Sequence, residues 1–222
     1  MMNNLFSTFD PATSINLSLN WLSMMMGLMF MPFMYWIMPN RTSITFQLLT
    51  GTLFNEFKML LQKNSKGLSL IMITLFMFIL FNNIMGLLPY IFTSTSHLMF
   101  TMTLSLPLWM CFMLFGWINN TNHMLSHMMP HGTPNMLMPF MVIIETISNM
   151  IRPMSLAVRL TANMIAGHLL MSLLGNSSIS SKPLFLGLIM IIQVILMTFE
   201  TAVSLIQAYV FSVLSTLYSS EV

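Results

Sequence analysis

The chain has 222 residues, 56% of them apolar and only 5% Asp, Glu, Lys or Arg, against roughly 25% charged in an ordinary soluble domain. A water-facing surface cannot be built from that composition, and a formal charge of +2 on scattered carriers gives no basic stripe for nucleic acid. The single cysteine, Cys111, excludes an internal disulfide or a thiolate metal cluster made by this chain alone and reads as a small buried hydrophobe.

The N-terminal MMNNLFSTFDPATS carries Asp10 and no Lys or Arg. It therefore has neither the basic n-region of a secretory signal nor the Arg-rich, acid-poor character of a transit peptide. The first apolar stretch, about 15–38, ends at Pro39-Asn40-Arg41 and is expected as one transmembrane helix, with a possible kink at Pro32. Residues 41–67 then hold Arg41, Lys58, Lys63 and Lys66 against one acid, Glu56. By the positive-inside tendency this loop faces the cytoplasm, or the matrix of a mitochondrion. Within it Phe46, Leu49, Leu53, Phe57 and Leu60 recur at helical steps, while Asn55, Glu56, Lys58, Gln62 and Lys63 take other angles. The spacing predicts an amphipathic helix over 43–63, lying in the interface plane.

Stretches at 68–92 and 98–118 are the next two spans. A polar loop, 119–135, follows. Its His123, His127 and His131 have the spacing to share a metal on a helix, but Pro130 and Gly132 argue against a regular helix there, so no metal site is expected. The last two stretches, 137–174 and 183–218, are too long for simple spans. As helices they would measure about 57 and 54 Å, whereas the hydrocarbon core offers about 30 Å. Either both are broken, or they form a hairpin leaning by about 60°, beyond the ordinary range of roughly 0–40°. The fold expected is therefore an all-α membrane protein in one domain, 1–222, with about five membrane helices and one interfacial helix.

Ionisable groups inside a membrane helix cost a few kcal/mol each and generally face a partner or a water-filled cavity. The last two stretches contain Glu145, Arg152, Arg159 and Glu200, together with His168. A guanidinium does not lose its proton, so Arg159 cannot relay protons, but it can hold a facing carboxylate ionised. The alternative is a structural ion pair with Glu145 or Glu200. At helical pitch Glu145 lies about 40° from Arg159 and Arg152 about 20° from it, whereas His168 comes out about 180° away. Glu145 and His168 are separated by roughly 35 Å of axis, with the arginine between them. Asn163 adds an amide to the arginine's own face. On the last helix Gln193, Glu200 and Gln207 form one polar stripe at heptad spacing; interhelical hydrogen bonding is the plainer reading for the two glutamines.

No HExxH, phosphate loop, dinucleotide turn or Ser-His-Asp order is present, so this chain is not expected to be an enzyme or to bind a cofactor. Twenty-nine methionines fit an AT-rich genome whose codon table reads an extra codon as Met, a compositional sign of mitochondrial coding. A haem-binding or redox subunit would need paired histidines on facing membrane helices, and only His168 lies within a span. A structural scaffold would leave Arg159 without a role.

Several segments resemble the membrane a subunit of F-type ATP synthases, especially its mitochondrial form: NNIMGLLPY, HGTPN, IIETISNMIRPMSLAVRLTANMIAGHLL and ETAVSLIQAYVFSVL. The stretch around LAVRLTAN is highly specific, and the match runs over most of the chain. The resemblance implies that Arg159 is the family's essential arginine, facing a ring of c subunits whose carboxylates carry protons. It implies that Asn163, His168, Glu200 and Gln207 line a half-channel open to the intermembrane space, and that Glu145 belongs to the matrix-side half-channel. Bacterial relatives often carry a Glu where this chain has His168 and a His where it has Glu200, which points to the mitochondrial branch. Arg152 has no required counterpart and stays outside the implied site. The partners implied are the c-ring, the other membrane-sector and peripheral-stalk subunits, and the lipid of the mitochondrial inner membrane.

Overall fold

The computed structural model describes residues 5–14, 17–32, 37–61, 67–129 and 132–221. Gln62, Lys63, Lys66 and His131 lie outside the described residues. Two 3-10 helices, Leu5–Phe9 and Leu19–Leu22, precede seven α-helices: α1 (Ser23–Met29), α2 (Arg41–Leu60), α3 (Leu68–Leu87), α4 (Leu98–Asn119), α5 (Thr121–His127), α6 (Met138–Ser180) and α7 (Pro183–Glu221). A third 3-10 helix, Ser94–Ser96, lies in the connection between α3 and α4. No strand occurs among the described residues.

Four helices, α3, α4, α6 and α7, are long and apolar enough to cross a membrane, so the protein is an all-α, multi-pass membrane protein. The first stretch differs from the expected helix over 15–38. Among the described residues helical structure there covers Leu19–Met29, and α1 stops three residues before Pro32. Pro32 cannot donate to the helix and disfavours helical geometry in the residue before it. The polar loop also differs, because Thr121–His127 forms α5 before Pro130 is reached. His123 and His127 sit with ring centroids 6.2 Å apart. Among the described residues no group of three or more potential ligands gathers to hold a metal.

The two long helices are unbroken: α6 runs 43 residues and α7 runs 39. Pro153 lies inside α6, where its missing N–H is tolerable because neighbouring helices and side chains satisfy the freed backbone groups in membrane proteins. Only Ser181 and Lys182 separate α6 from α7, which makes them an antiparallel hairpin. Helix α3 packs along α7, and α4 along α6. The α3–α7 register is fixed by a buried amide, Asn83, whose Nδ2 donates to the Ser204 carbonyl at 3.4 Å. Nearer the other end, the Ser215 hydroxyl meets Met72 Sδ at 3.1 Å.

The apolar core joins Leu53 and Phe57 of α2, Met72, Phe76 and Ile79 of α3, and Leu156, Leu160 and Phe211 of the hairpin. Helix α2 therefore buries one face against the bundle. That face is shifted from the expected stripe: Leu53 and Phe57 are buried, whereas Leu49 and Leu60 are exposed. Ser43 and Leu61 take part instead, because the groove between α3 and α7 sets the angle at which α2 docks. Cys111 is exposed rather than buried, since its side of α4 points away from the bundle.

Candidate functional site

The candidate residues of α6 run from its midpoint, Arg159, towards the end joined to α7, with one exception, while Glu200 and Gln207 lie about the middle of α7. Glu200 on α7 is 8% exposed and faces Gly167 on α6. A Cβ built on Gly167 would lie 2.9 Å from Glu200 Cδ and 3.0 Å from its Oε1. The absence of a side chain at Gly167 is thus what gives the carboxyl its place between the helices. Glu200 Oε1 is buried and has no hydrogen-bond partner among the described residues.

Two cavities meet at this carboxyl. The first, about 760 Å³, is lined by His168, Gln193 and Glu200, by the connection from Leu87 to Thr93, and by the N-terminal residues Ser7 to Asp10. The second, about 480 Å³, is lined by Asn163, Gly167, Glu200 and Gln207 among apolar neighbours. Glu200 and Leu87 border both. His168 is half-buried, lies against the Gly86 backbone, and meets Phe9 edge to face at 6.2 Å. Its Nε2 is buried without a partner among the described residues.

A buried polar atom left unpaired costs about 1–3 kcal/mol. Water bridging such groups needs a polar, roomy site, and both cavities have the volume for several molecules. The carboxyl and imidazole around them are groups that can take up and release a proton, and the amides can hydrogen-bond bridging water.

Arg159 lines neither cavity. It is exposed, has no carboxylate partner within 4.0 Å among the described residues, and sits on α6 beside the exposed apolar residues Ile151, Met154 and Val158. The possible ion pairs with Glu145 or Glu200 are not formed. Asn163, one turn further along α6, connects the arginine's neighbourhood to the second cavity.

Glu145 is the exception. It lies toward the other end of α6, paired with Arg152 at 3.3 Å. Arg152 also holds Glu221 of α7 at 2.7 Å, and its guanidinium lies 5.2 Å from the centre of the Tyr218 ring. A pocket of about 190 Å³ beside this cluster is lined by Trp109, Asn149, Arg152, Tyr218 and Glu221 among others. Reading the sequence left out Arg152, Glu221 and Gly167. The heptad offset of Glu145 and Arg152 signalled the first. A glycine in mid-helix, where it costs about 1 kcal/mol relative to alanine, signalled the last. Nothing local marks Glu221, whose partner comes from another helix.

A family model described as the ATP synthase A chain matches residues 17–220. ATP synthase subunit a of Locusta migratoria is 61% identical over 224 residues, covering 100% of both chains. The subunit a chains of Drosophila yakuba, 60% identical over 223 residues, and Aedes aegypti, 61% identical over 225 residues, are likewise matched over 100% of each chain. The relatives match the whole chain and the family model matches it from the second 3-10 helix nearly to the end of α7, Arg159 included, and the chain belongs to the ATP synthase A chain family.

Proposed function

We propose that this chain is the proton-translocating a subunit of an F-type ATP synthase of the mitochondrial inner membrane, supplying two half-channels that load and unload carboxylates on a rotating ring of c subunits. The observation that carries the reading is Arg159, an exposed guanidinium on a membrane-length helix with no carboxylate partner within 4.0 Å among the described residues. A cation at the centre of a membrane helix costs about 2.5–3.5 kcal/mol on insertion scales, and a partner carboxylate from outside the chain offsets that cost. A ring presenting such carboxylates in turn fits this need.

Protons enter the cavity that contains His168 and Gln193, reach Glu200, and pass along the Asn163–Gln207 cavity towards a ring carboxylate. Once neutral, that carboxyl rotates into lipid. Nearly a full turn later it releases its proton towards Glu145 at the other end of α6. Arg159 stands between the two paths and blocks direct leakage, because a permanently charged guanidinium neither accepts nor yields a proton. The chain forms no covalent bond with any substrate. Each proton crossing 100 mV brings about 2.3 kcal/mol, so several are coupled to each ATP formed elsewhere in the complex.

The helix lengths support the same arrangement. At about 1.5 Å per residue α6 measures roughly 65 Å, and confinement to a core of about 30 Å lays the hairpin at a steep tilt, with a long side turned to the ring. Helix α2, with Arg41 and Lys58 on it, lies along the matrix interface.

The deciding experiment is ATP-driven proton pumping by vesicles carrying the assembled complex with Arg159→Ala, assembly being read from co-purification of the c-ring. The expected result is retained assembly and lost coupled pumping. Normal coupled pumping in an assembled variant overturns the proposal.

A further inference from the structure

We infer that the N-terminal segment is the outer wall of the first cavity and that Asp10 is the carboxylate that collects protons at its mouth; this rests on the uptake role proposed above for that cavity. Ser7, Thr8, Phe9 and Asp10 line the cavity together with His168 and Glu200. The wall is tied down on both sides. Phe9 meets the His168 ring, the Asn20 amide donates to the Asp10 carbonyl at 3.2 Å, and the Ser23 hydroxyl donates to the Phe92 carbonyl at 3.1 Å. Trp21 packs on Phe92 at 5.8 Å and on His97 at 5.2 Å. These contacts fasten the segment to the connection between α3 and α4, which forms the adjoining wall.

The charges around the cavity favour cations. Among the described residues its titratable groups are Asp10 from the N-terminal segment, Tyr90 from the connection, His168 from α6 and Glu200 from α7, with no Lys or Arg. The Asp10 carboxylate is exposed and, among the described residues, accepts a local hydrogen bond from the Ala12 N–H at 3.1 Å through one oxygen. Glu200 is the carboxylate at the inner end. A cleft lined by one sign of charge and walled by low-dielectric material concentrates counter-ions and speeds their capture. With Asp10 at the mouth, a proton arriving from dilute solution is held at the opening instead of returning to bulk.

The test is ATP synthesis by inner-membrane preparations carrying the complete synthase, with pH on the cavity side varied at constant total driving force and rates taken per assembled complex. Asp10→Asn keeps the acceptor for the Ala12 N–H, and Asp10→Ser is a second variant should the first assemble poorly. Expected is a loss of about threefold or more at around pH 8, where capture limits the rate, and little loss at around pH 6, where it does not. Asp10→Glu retains the rate at both. Glu200→Gln, run alongside, blocks transport at either pH. Equal rates for wild type and Asp10→Asn at both pH values, with Glu200→Gln blocked, overturn the role of Asp10 alone. A loss that is the same at both pH values marks a purely structural residue and overturns it too. Normal transport in Glu200→Gln instead removes the uptake reading on which it rests.

Discussion

Gly167 and Glu200 occupy a single contact between α6 and α7: a Cβ on the glycine would stand 2.9 Å from the carboxyl carbon and 3.2 Å from Glu200 Cγ. Glycine in mid-helix sacrifices about 1 kcal/mol of helix propensity. That sacrifice makes room for an acid at the junction of two cavities.

Gly167→Ala therefore separates stability from transport. The added methyl gains helix propensity but pushes the Glu200 carboxyl aside, and displacements near 1 Å at a reacting group cost up to about 100-fold in rate. Expected are normal assembly and thermal stability with proton transport reduced about tenfold or more. Transport at the wild-type rate in Gly167→Ala would mean that the position of the carboxyl is not critical.

His168 is the titrating group of the first cavity whose charge ordinarily changes between about pH 5 and 8. His168→Ala is expected to slow ATP-driven pumping and to flatten its dependence on pH across that range, while assembly is unchanged. A slower variant whose pH profile has the wild-type shape would assign the ring a packing role, through its contact with Phe9.

Arg152 holds two acids, but its side chain is 25% exposed, with Glu145 at 30% and Glu221 at 39%. Solvent screening discounts such pairs to about 1 kcal/mol or less, and the Tyr218 contact adds about 0.5–1 kcal/mol. A double-mutant cycle with Arg152→Met and Glu221→Gln, read by unfolding in lipid-detergent mixtures, should give a coupling energy no larger than about 1 kcal/mol. A coupling of several kcal/mol would show that the cluster is dry and structural. A small coupling combined with slowed proton release suits the outlet role proposed for Glu145.

Periodicity put Arg159 and Asn163 on one face of α6 and His168 on another; in the structure Asn163 lines the second cavity, His168 the first, and Arg159 neither. Local patterning was less informative where packing chose the face. Leu49 and Leu60 fitted the apolar stripe of α2 but are exposed, because the groove between α3 and α7 accepts the helix at a slightly different angle. The first stretch was apolar enough for a span, yet its helix ends at Met29, where Pro32 outweighs hydropathy.

Composition alone determined the solvent of this protein, since a chain with so few charges has nothing to present to water. Helix type, the excess length of α6 and α7, and the identity of the buried ionisable groups followed from residue order, because hydropathy and helical pitch act along a single segment. Which of those groups meet was decided only by tertiary structure. Gly167 and Glu200, like Arg152 and Glu221, belong to different helices, and their contact depends on how two long antiparallel rods slide against each other, a register set by interlocking side chains such as Asn83 against the Ser204 backbone. The isolation of Arg159 belongs to the same category: Glu145 and Glu221 are held by Arg152, and among the described residues no carboxylate comes within 4.0 Å of the Arg159 guanidinium.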